Sequence, residues 1–322
     1  MALYDELTIF GGNANPDLTR AICDYIDIQP GRAEIFTFTN ENIFVRLLES
    51  VRANDVFVVQ SFSAPLSTSI LELLIMIDAL KRASAGRITA VVPYFAYGRT
   101  DKKDQPRVPI TARLLADLIT TAGAQQLVTL DLHAGQIQGF FNIPVDELTA
   151  IHLLARHFWE QRIKDLVVVS PDLGNTKRAR NFAELLDAPL AIVEKRRLAN
   201  TDQTETLNLI GEVAGRPVLL FDDEIDTASS VLQAADLVLA RGATAVHVAA
   251  THAVLSGPAI ERLRGSAITE IVVTDTVPIP PAKRLPNLTI LSIAPLIGET
   301  IQRIHTGTSV SMYRDAGGVS IA

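Results

Sequence analysis

Val218-Leu-Leu-Phe-Asp-Asp-Glu-Ile-Asp-Thr-Ala-Ser-Ser230 reads, in order, as an apolar run, a cluster of acids and the start of a helix. A short run of Val, Leu and Phe unbroken by polar residues suits a strand buried on both faces of a parallel sheet. That strand is expected to end in Asp222 and Asp223, with a short acidic loop after it and a helix from Ser229. Similar runs recur at Val56–Gln60, Ile88–Val92, Leu127–Leu130, Leu166–Val169, Ala245–Ala249 and Ile271–Thr274. Between them, helical spacing predicts Pro16–Ile28, Ser69–Ser84, Thr111–Ala122, Thr149–Ile163, Thr176–Leu186, Ser229–Arg241 and Pro295–His305. Ser69 and Glu72 read as a capping box opening the second of these. Strand and helix alternating along the whole chain means α/β, with two mainly parallel sheets flanked by helices.

The 322 residues allow two domains. Several strand–helix repeats lie on either side of 144–149, so domains of 1–147 and 148–322 are expected. Val277–Pro286 holds four prolines and reads as a loop. Residues 314–322 read as a frayed tail.

Composition narrows the function. Hydrophobic residues make up 48% and charged residues 20%, ordinary for a soluble protein of this size. The net charge of −7 argues against a broad nucleic-acid footprint. The single cysteine, Cys23, excludes an intramolecular disulfide framework and a Cys-rich zinc site, and fits the cytoplasm. The N-terminus carries acids where a signal peptide needs a basic start. Ile70–Leu80, the most membrane-like stretch, is short and contains Glu72 and Asp78, so no membrane association is expected.

Ligands of open α/β sheets bind at the carboxyl ends of strands beside helix N-termini. The 222–230 stretch lies there: the hydroxyls of Thr227, Ser229 and Ser230 with first-turn N–H groups form a phosphate cradle. Asp222 and Asp223 beside it suit sugar hydroxyls or a magnesium ion. The bland alternative is that Asp226 or Thr227 merely caps a helix while the other acids are solvated. Pro93-Tyr-Phe-Ala-Tyr-Gly-Arg-Thr-Asp-Lys-Lys-Asp-Gln-Pro-Arg107 places three aromatics and four basic residues behind a strand, for stacking on a base and clamping phosphates, or for a charged loop over a core edge. His133 follows another strand and could contact a metal or phosphate, or be structural. Asp172 ends a strand before Gly174, and Glu194-Lys-Arg-Arg197 is a basic cluster that could equally be a solvated face. No P-loop, H-E-x-x-H, G-x-S-x-G or strand-following G-x-G-x-x-G occurs.

Taken together, these motifs resemble the ribose-phosphate pyrophosphokinase family. The resemblance runs from Phe10-Gly-Gly-Asn-Ala-Asn15 to Ser309-Val-Ser311. It is most specific at Glu49-Ser-Val-Arg52, Met76-Ile-Asp-Ala-Leu-Lys-Arg-Ala-Ser84, Asp131-Leu-His-Ala134, Gln136-Ile-Gln-Gly-Phe-Phe141, Thr251-His252 and Leu255-Ser-Gly-Pro258. It implies two phosphoribosyltransferase-like domains, a homohexamer and transfer of diphosphate from MgATP to ribose 5-phosphate. By position, Asp222, Asp223, Asp226, Thr227, Ala228, Ser229 and Ser230 match the ribose 5-phosphate loop, and His133 and Asp172 the magnesium ligands. Arg99 and Asp101 match the ATP loop, His133 counts among the ATP-binding residues as well, and Phe38, Asn40 and Asn42 match the segment reaching a neighbouring subunit's adenine. Lys195 and Arg197 match the mobile catalytic loop. Ser50, Arg52, Arg107, Ser309 and Ser311 match the site where phosphate activates and ADP inhibits.

The chain departs from the family's pattern at Glu41-Asn42, where Gly-Glu is common, at Thr100, at Asn175 and at Ser229. Ser229 stands where bare backbone usually meets the phosphate, and a positive φ there would cost roughly 1 kcal/mol or more. An active diphosphokinase is the leading expectation. A catalytically weak or regulatory member that assembles with an active subunit is the alternative, and a phosphoribosyltransferase that consumes the product is a third reading.

Overall fold

The computed structural model describes residues 4, 6–197 and 205–310. They form two compact units. The first takes the chain up to Thr149, together with Thr276–Pro278 and the chain from Ser292; the second takes Ala150–Asp275 and Ile279–Leu291.

The first unit is built on β1 (Leu7–Gly11), β4 (Asp55–Val59), β5 (Arg87–Val92), β6 (Gln126–Leu130) and β7 (Val145–Leu148), side by side in that order and all parallel. Every residue of β4 is buried, as are all but the first of β5, which is why these segments read as continuous apolar runs. β2 (Ala33–Thr37) and β3 (Ile43–Leu47) form a separate antiparallel hairpin. Helices α1 (Pro16–Tyr25), α2 (Leu66–Arg82) and α3 (Thr111–Ala122) belong to this unit. Phe10, Val58, Leu73, Met76, Ile77, Ala90, Ile119 and Leu127 share one core, to which α2 and α3 contribute their apolar faces.

The expected capping box is not one. α2 starts three residues before Ser69, so Ser69 lies inside the helix and its hydroxyl donates back to the carbonyls of Ser63 and Leu66. Glu72 instead accepts from the Asn13 backbone N–H at 2.6 Å, the Asn13 amide at 2.9 Å and Gln60 at 2.8 Å. The Ser-x-x-Glu spacing arises here from a buried polar network rather than a helix start.

The second unit carries β8 (Val167–Ser170), β9 (Leu190–Arg197), β10 (Glu205–Ile210), β11 (Pro217–Ile225), β12 (Ala245–Ala253), β13 (Glu270–Thr274) and β14 (Leu288–Leu291). Their order is β10-β9-β8-β11-β12-β13-β14, parallel except for the antiparallel pair β9–β10. Its helices are α4 (Ile151–Gln161), α5 (Thr176–Leu185), α6 (Ser229–Ala240) and the short α7 (Ala259–Arg264). Val169, Val193, Val218, Leu220, Val248 and Ile271 make the centre of its core. A fourth long helix, α8 (Ala294–Thr306), returns to the first unit, where it packs on α1.

α1 and α4 are shorter than their apolar spacing predicts. Asp27 and Arg162 take left-handed backbone at φ 60° and 50° and stop them. The proline-rich 277–286 segment is a loop apart from one 3-10 turn at Pro281–Lys283. The predicted tail at 314–322 lies outside the described residues. No helix among the described residues is long and apolar enough to cross a membrane.

Candidate active site

β11 runs further than its apolar run predicts. Asp222, Asp223 and Glu224 lie inside the strand rather than after it, because β12 supplies ladder partners as far as Ile225↔Ala253. The connection to α6 is therefore only Asp226–Ala228. Asp222 is half-buried, and Asp223 is buried beside Arg178 of α5 at 3.4 Å. Burial, then repulsion from Asp223 and, further off, Asp172, pushes the Asp222 carboxyl well above the usual range. Below it, Phe221 stacks on Phe182 of α5 with centroids 4.1 Å apart, fixing the strand against the helix.

The backbone turns into α6 at Ala228, whose φ of 62° and ψ of 6° are left-handed, while Ser229 is the first helical residue. The strain feared at Ser229 thus falls on Ala228, one residue earlier, and the Ser229 side chain sits in ordinary helical backbone. Its hydroxyl accepts from Thr227 Oγ1 at 3.2 Å and from Arg262 Nη1 at 2.6 Å, and the same Nη1 reaches the Thr227 carbonyl at 3.1 Å. The loop is held from the other side by Leu255–Ser256. The Leu255 and Ser256 N–H groups donate to the Ile225 and Asp226 carbonyls at 3.0 Å, and the Ser256 hydroxyl donates to the Asp226 carboxylate. A helix N-terminus flanked by hydroxyls beside two acids can hold a phosphorylated sugar by both ends.

Asp172 is exposed at the carboxyl end of β8, and its Oδ1 accepts from the Asn175 N–H at 2.9 Å. Asn175 is buried and its amide donates to the Phe221 carbonyl at 2.6 Å, linking the Asp172 turn to the strand that carries Asp222. Sequence reasoning noted Asn175 only as a departure and missed Arg178, Ser256 and Arg262. Ser256 lies in the Leu255–Pro258 stretch that carries part of the resemblance; Arg178 and Arg262 are ordinary helix arginines with no local signal.

In the first unit, the loops after β5 and β6 meet: a Cβ on Gly98 would come within 3.0 Å of the His133 Cβ. Asp101 is buried and accepts from Gln136, while Arg99 and His133 are exposed. The three aromatics of this loop divide. Phe95 belongs to the core against Phe62 and Phe141, Tyr94 is partly buried, and Tyr97 is exposed. At the tip of the β2–β3 hairpin, Phe38 packs edge-on against Phe36 and Phe44 at 5.0 and 5.8 Å and stays exposed. Asn40 accepts from the Asn42 N–H at 3.2 Å, and Glu41 between them has a φ of 67°.

Lys195 and Arg197 are not in a loop: their backbones lie in β9, opposite Leu207 and Glu205 of β10. Their side chains lie outside the described residues, as does Ser311. Ser50, Arg52, Arg107 and Ser309 are exposed in the first unit; Ser50 accepts from the Arg52 N–H at 3.5 Å, and Arg303 donates to the Ser309 carbonyl at 3.2 Å. No group of three or more His, Cys, Asp and Glu side chains among the described residues is arranged as a metal site.

Parallel strands carrying acids into a hydroxyl-rich helix start define an α/β protein built to bind phosphorylated ligands. Residues 7–123 match the N-terminal domain of ribose phosphate pyrophosphokinase and residues 194–314 the phosphoribosyl synthetase-associated domain. The chain belongs to the ribose-phosphate pyrophosphokinase family. It is 52% identical to a ribose-phosphate pyrophosphokinase of Caldanaerobacter subterraneus over 97% of this chain and 99% of that one. A second, from Clostridium acetobutylicum, is 49% identical over 95% and 96%. The crystal structure of phosphoribosylpyrophosphate synthetase from Mycobacterium smegmatis superposes with a TM-score of 0.89 at 45% identity, covering 93% of this chain and 99% of that one.

Proposed function

We propose that this chain transfers diphosphate from MgATP to the anomeric hydroxyl of D-ribose 5-phosphate, releasing AMP and 5-phosphoribosyl 1-diphosphate. The observation that carries the reading is the union of Asp222 and Asp223 with the Thr227–Ser230 helix start in one unit, in a chain matched by ribose-phosphate pyrophosphokinases over nearly its whole length. The helix start takes the 5-phosphate, and the carboxylates accept hydrogen bonds from the ribose hydroxyls. The anomeric oxygen then forms its bond to the β-phosphorus of ATP, the bond from that phosphorus to the α,β-bridging oxygen breaks, and AMP carries that oxygen away. The anomeric proton goes to solvent or base. The reaction needs in-line positioning and charge neutralisation rather than a covalent enzyme intermediate.

Burial, with repulsion from Asp223 and Asp172 added, raises Asp222, and a hard divalent cation, which oxygen ligands suit, would offset that repulsion. When bound, magnesium neutralises phosphate charge. His133 and Asp172 are the residues proposed to hold it. Arg99 and Asp101 serve the ATP phosphates, Phe38, Asn40 and Asn42 the adenine of a neighbouring subunit, and Lys195 and Arg197 the transferring diphosphate. The same reading gives a homohexamer working in the cytoplasm, with phosphate and ADP as effectors at Ser50, Arg52, Arg107, Ser309 and Ser311.

The test is AMP release from MgATP with and without ribose 5-phosphate and inorganic phosphate. AMP that depends on ribose 5-phosphate supports the reading. No AMP under any condition sinks it and leaves a regulatory subunit; consumption of 5-phosphoribosyl 1-diphosphate with release of diphosphate, without ATP, would indicate a phosphoribosyltransferase.

A further inference from the structure

Arg262 reaches from α7 across to the start of α6 and donates through one nitrogen to two oxygens, the Thr227 carbonyl and the Ser229 hydroxyl. Thr227 Oγ1 donates to that same hydroxyl. A guanidinium can only donate, and a serine hydroxyl has two acceptor sites and one proton. With both acceptor sites taken, the Ser229 hydroxyl is left as a donor, and its proton points away from Arg262 and Thr227. A phosphate oxygen is an acceptor that such a proton suits, and a donation relayed from a charged guanidinium is stronger than one from a lone hydroxyl.

We propose that Arg262 is a positioning residue for the phosphate of the sugar substrate: it polarises the Ser229 hydroxyl and locks it as an outward donor, so that Ser229 adds a hydrogen bond at the helix start. The inference rests on the proposed function and deepens it. It also explains how a Cβ and hydroxyl are accommodated at position 229. The residue sits in helical backbone and its hydroxyl is fixed by Thr227 and Arg262, with Arg262 itself carried on the segment that starts at Leu255.

The hinge of that segment is built for the reach. Leu255 and Gly257 take left-handed φ of 48° and 52°, turning the chain so that Ser256 faces Asp226 and α7 follows at once. Lys283 Nζ holds the Leu255 carbonyl at 2.8 Å. Arg262 is thus presented from a braced element rather than a free loop, which is what a positioning contact requires.

The experiment is a double-mutant cycle of Arg262→Gln and Ser229→Ala in the full-length protein, with Arg262→Lys as the conservative variant. Ribose 5-phosphate binding is read by calorimetry, and AMP release on the same samples. Each single substitution is expected to weaken ribose 5-phosphate about tenfold, the scale of one charge-assisted hydrogen bond. The double variant is expected to be no weaker than the worse single, and Arg262→Lys to recover part of the loss. The KM for ATP should stay within about twofold, a split that general loosening of the unit would not produce. Losses that multiply in the double variant, or an Arg262→Gln protein that binds like wild type, overturn the proposal. If Arg262→Gln does not fold, a wild-type affinity in Ser229→Ala overturns it equally. A wild type that binds ribose 5-phosphate without releasing AMP overturns the proposed reaction alone, and the cycle still decides the role of Arg262. A wild type that does not bind ribose 5-phosphate overturns both.

Discussion

Arg87 and Asp55 stand opposite each other in the register of β5 and β4 and are joined by two hydrogen bonds, Nε to Oδ1 at 2.7 Å and Nη2 to Oδ2 at 2.5 Å. Asp55 is wholly buried, and His305 Nδ1 lies 2.9 Å from the same carboxylate. Arg87 also donates to the Ile304 carbonyl at 3.0 Å and lies over the Tyr4 ring, 4.8 Å from its centre. One ion pair thus ties two central strands to α8, a helix some two hundred residues later in the chain. Removing one partner strands a buried charge, so Asp55→Ala should cost roughly 3–5 kcal/mol. Urea unfolding would show it, and a change under 1 kcal/mol would mean that Arg87 finds solvent when its partner is gone.

The network around Glu72 makes a second, separable prediction. Glu72 is buried and satisfies the Asn13 N–H, the Asn13 amide and Gln60. Glu72→Ala leaves these donors without their acceptor and should destabilise by about 3 kcal/mol, whereas Glu72→Gln keeps one oxygen and should lose less. If Glu72 were half of a capping box, both would cost about 1 kcal/mol or less. Denaturant midpoints for the two variants separate the cases.

What was legible follows from how locally each feature is encoded. β4 and β5 showed because burial on both faces forces unbroken apolar runs, and α3 showed because its apolar stripe is clean. β9 was missed because its second half is Glu194-Lys-Arg-Arg197, and its antiparallel partner β10 follows the 198–204 stretch. The β2–β3 hairpin was missed because neither strand is fully buried and its apolar residues are cut short by Glu34 and Arg46. The return of α8, packed on α1 and fastened where Asp55, Arg87 and His305 meet, is encoded by no local pattern. In the site, the acids and hydroxyls of 222–230 are contiguous and therefore visible. Arg262, Arg178 and Asn175 are brought to them only by folding.

Backbone strain gives a third prediction. Ala228 and Glu41 hold left-handed backbone at φ 62° and 67°, where a Cβ costs roughly 1 kcal/mol. Gly loses more chain entropy on folding, which offsets part of the gain. Ala228→Gly and Glu41→Gly should therefore be neutral to slightly stabilising, by about 0.5 kcal/mol. Ser229→Gly, in contrast, relieves no strain and removes the hydroxyl held by Arg262. Improved ribose 5-phosphate binding in Ser229→Gly would contradict this placement.

Acid sensitivity should arise in the second unit, where Glu270 lies between two histidines. Its carboxylate is 2.9 Å from His157 Nε2 and 3.4 Å from His247 Nδ1, and Gln161 donates to it at 3.0 Å. Burial lowers His247, against an opposing pull from Glu270. Burial alone would raise Glu270, but hydrogen bonds from Gln161 and His157 outweigh it and hold the carboxyl below its usual value. Both signs run the same way. As pH falls below about 6.5, the unfolded state protonates at His247 before the folded state does; near pH 4 the stabilisation from ionised Glu270 is lost as well. The melting temperature should therefore drop by a few degrees from pH 7.5 to 5.5, and by less in His247→Asn. Equal drops in both proteins would place the sensitivity elsewhere.

Lys195 lies two residues before Arg197 on β9, a strand tied in register to β10 rather than a free loop. In diphosphate transfer, charge on the transferring group and on the departing AMP oxygen builds up only as the bond to the bridging oxygen breaks. A cation placed for that moment interacts more strongly with the transition state than with bound ATP. Lys195→Ala should then lower kcat by about a thousandfold or more, with the KM values for ATP and ribose 5-phosphate changed only a few-fold. Lys195→Arg should recover little, since a planar fork cannot replace a compact ammonium. The opposite split, with ATP affinity lost and turnover kept, would make Lys195 a binding residue and leave the transition state to Arg197.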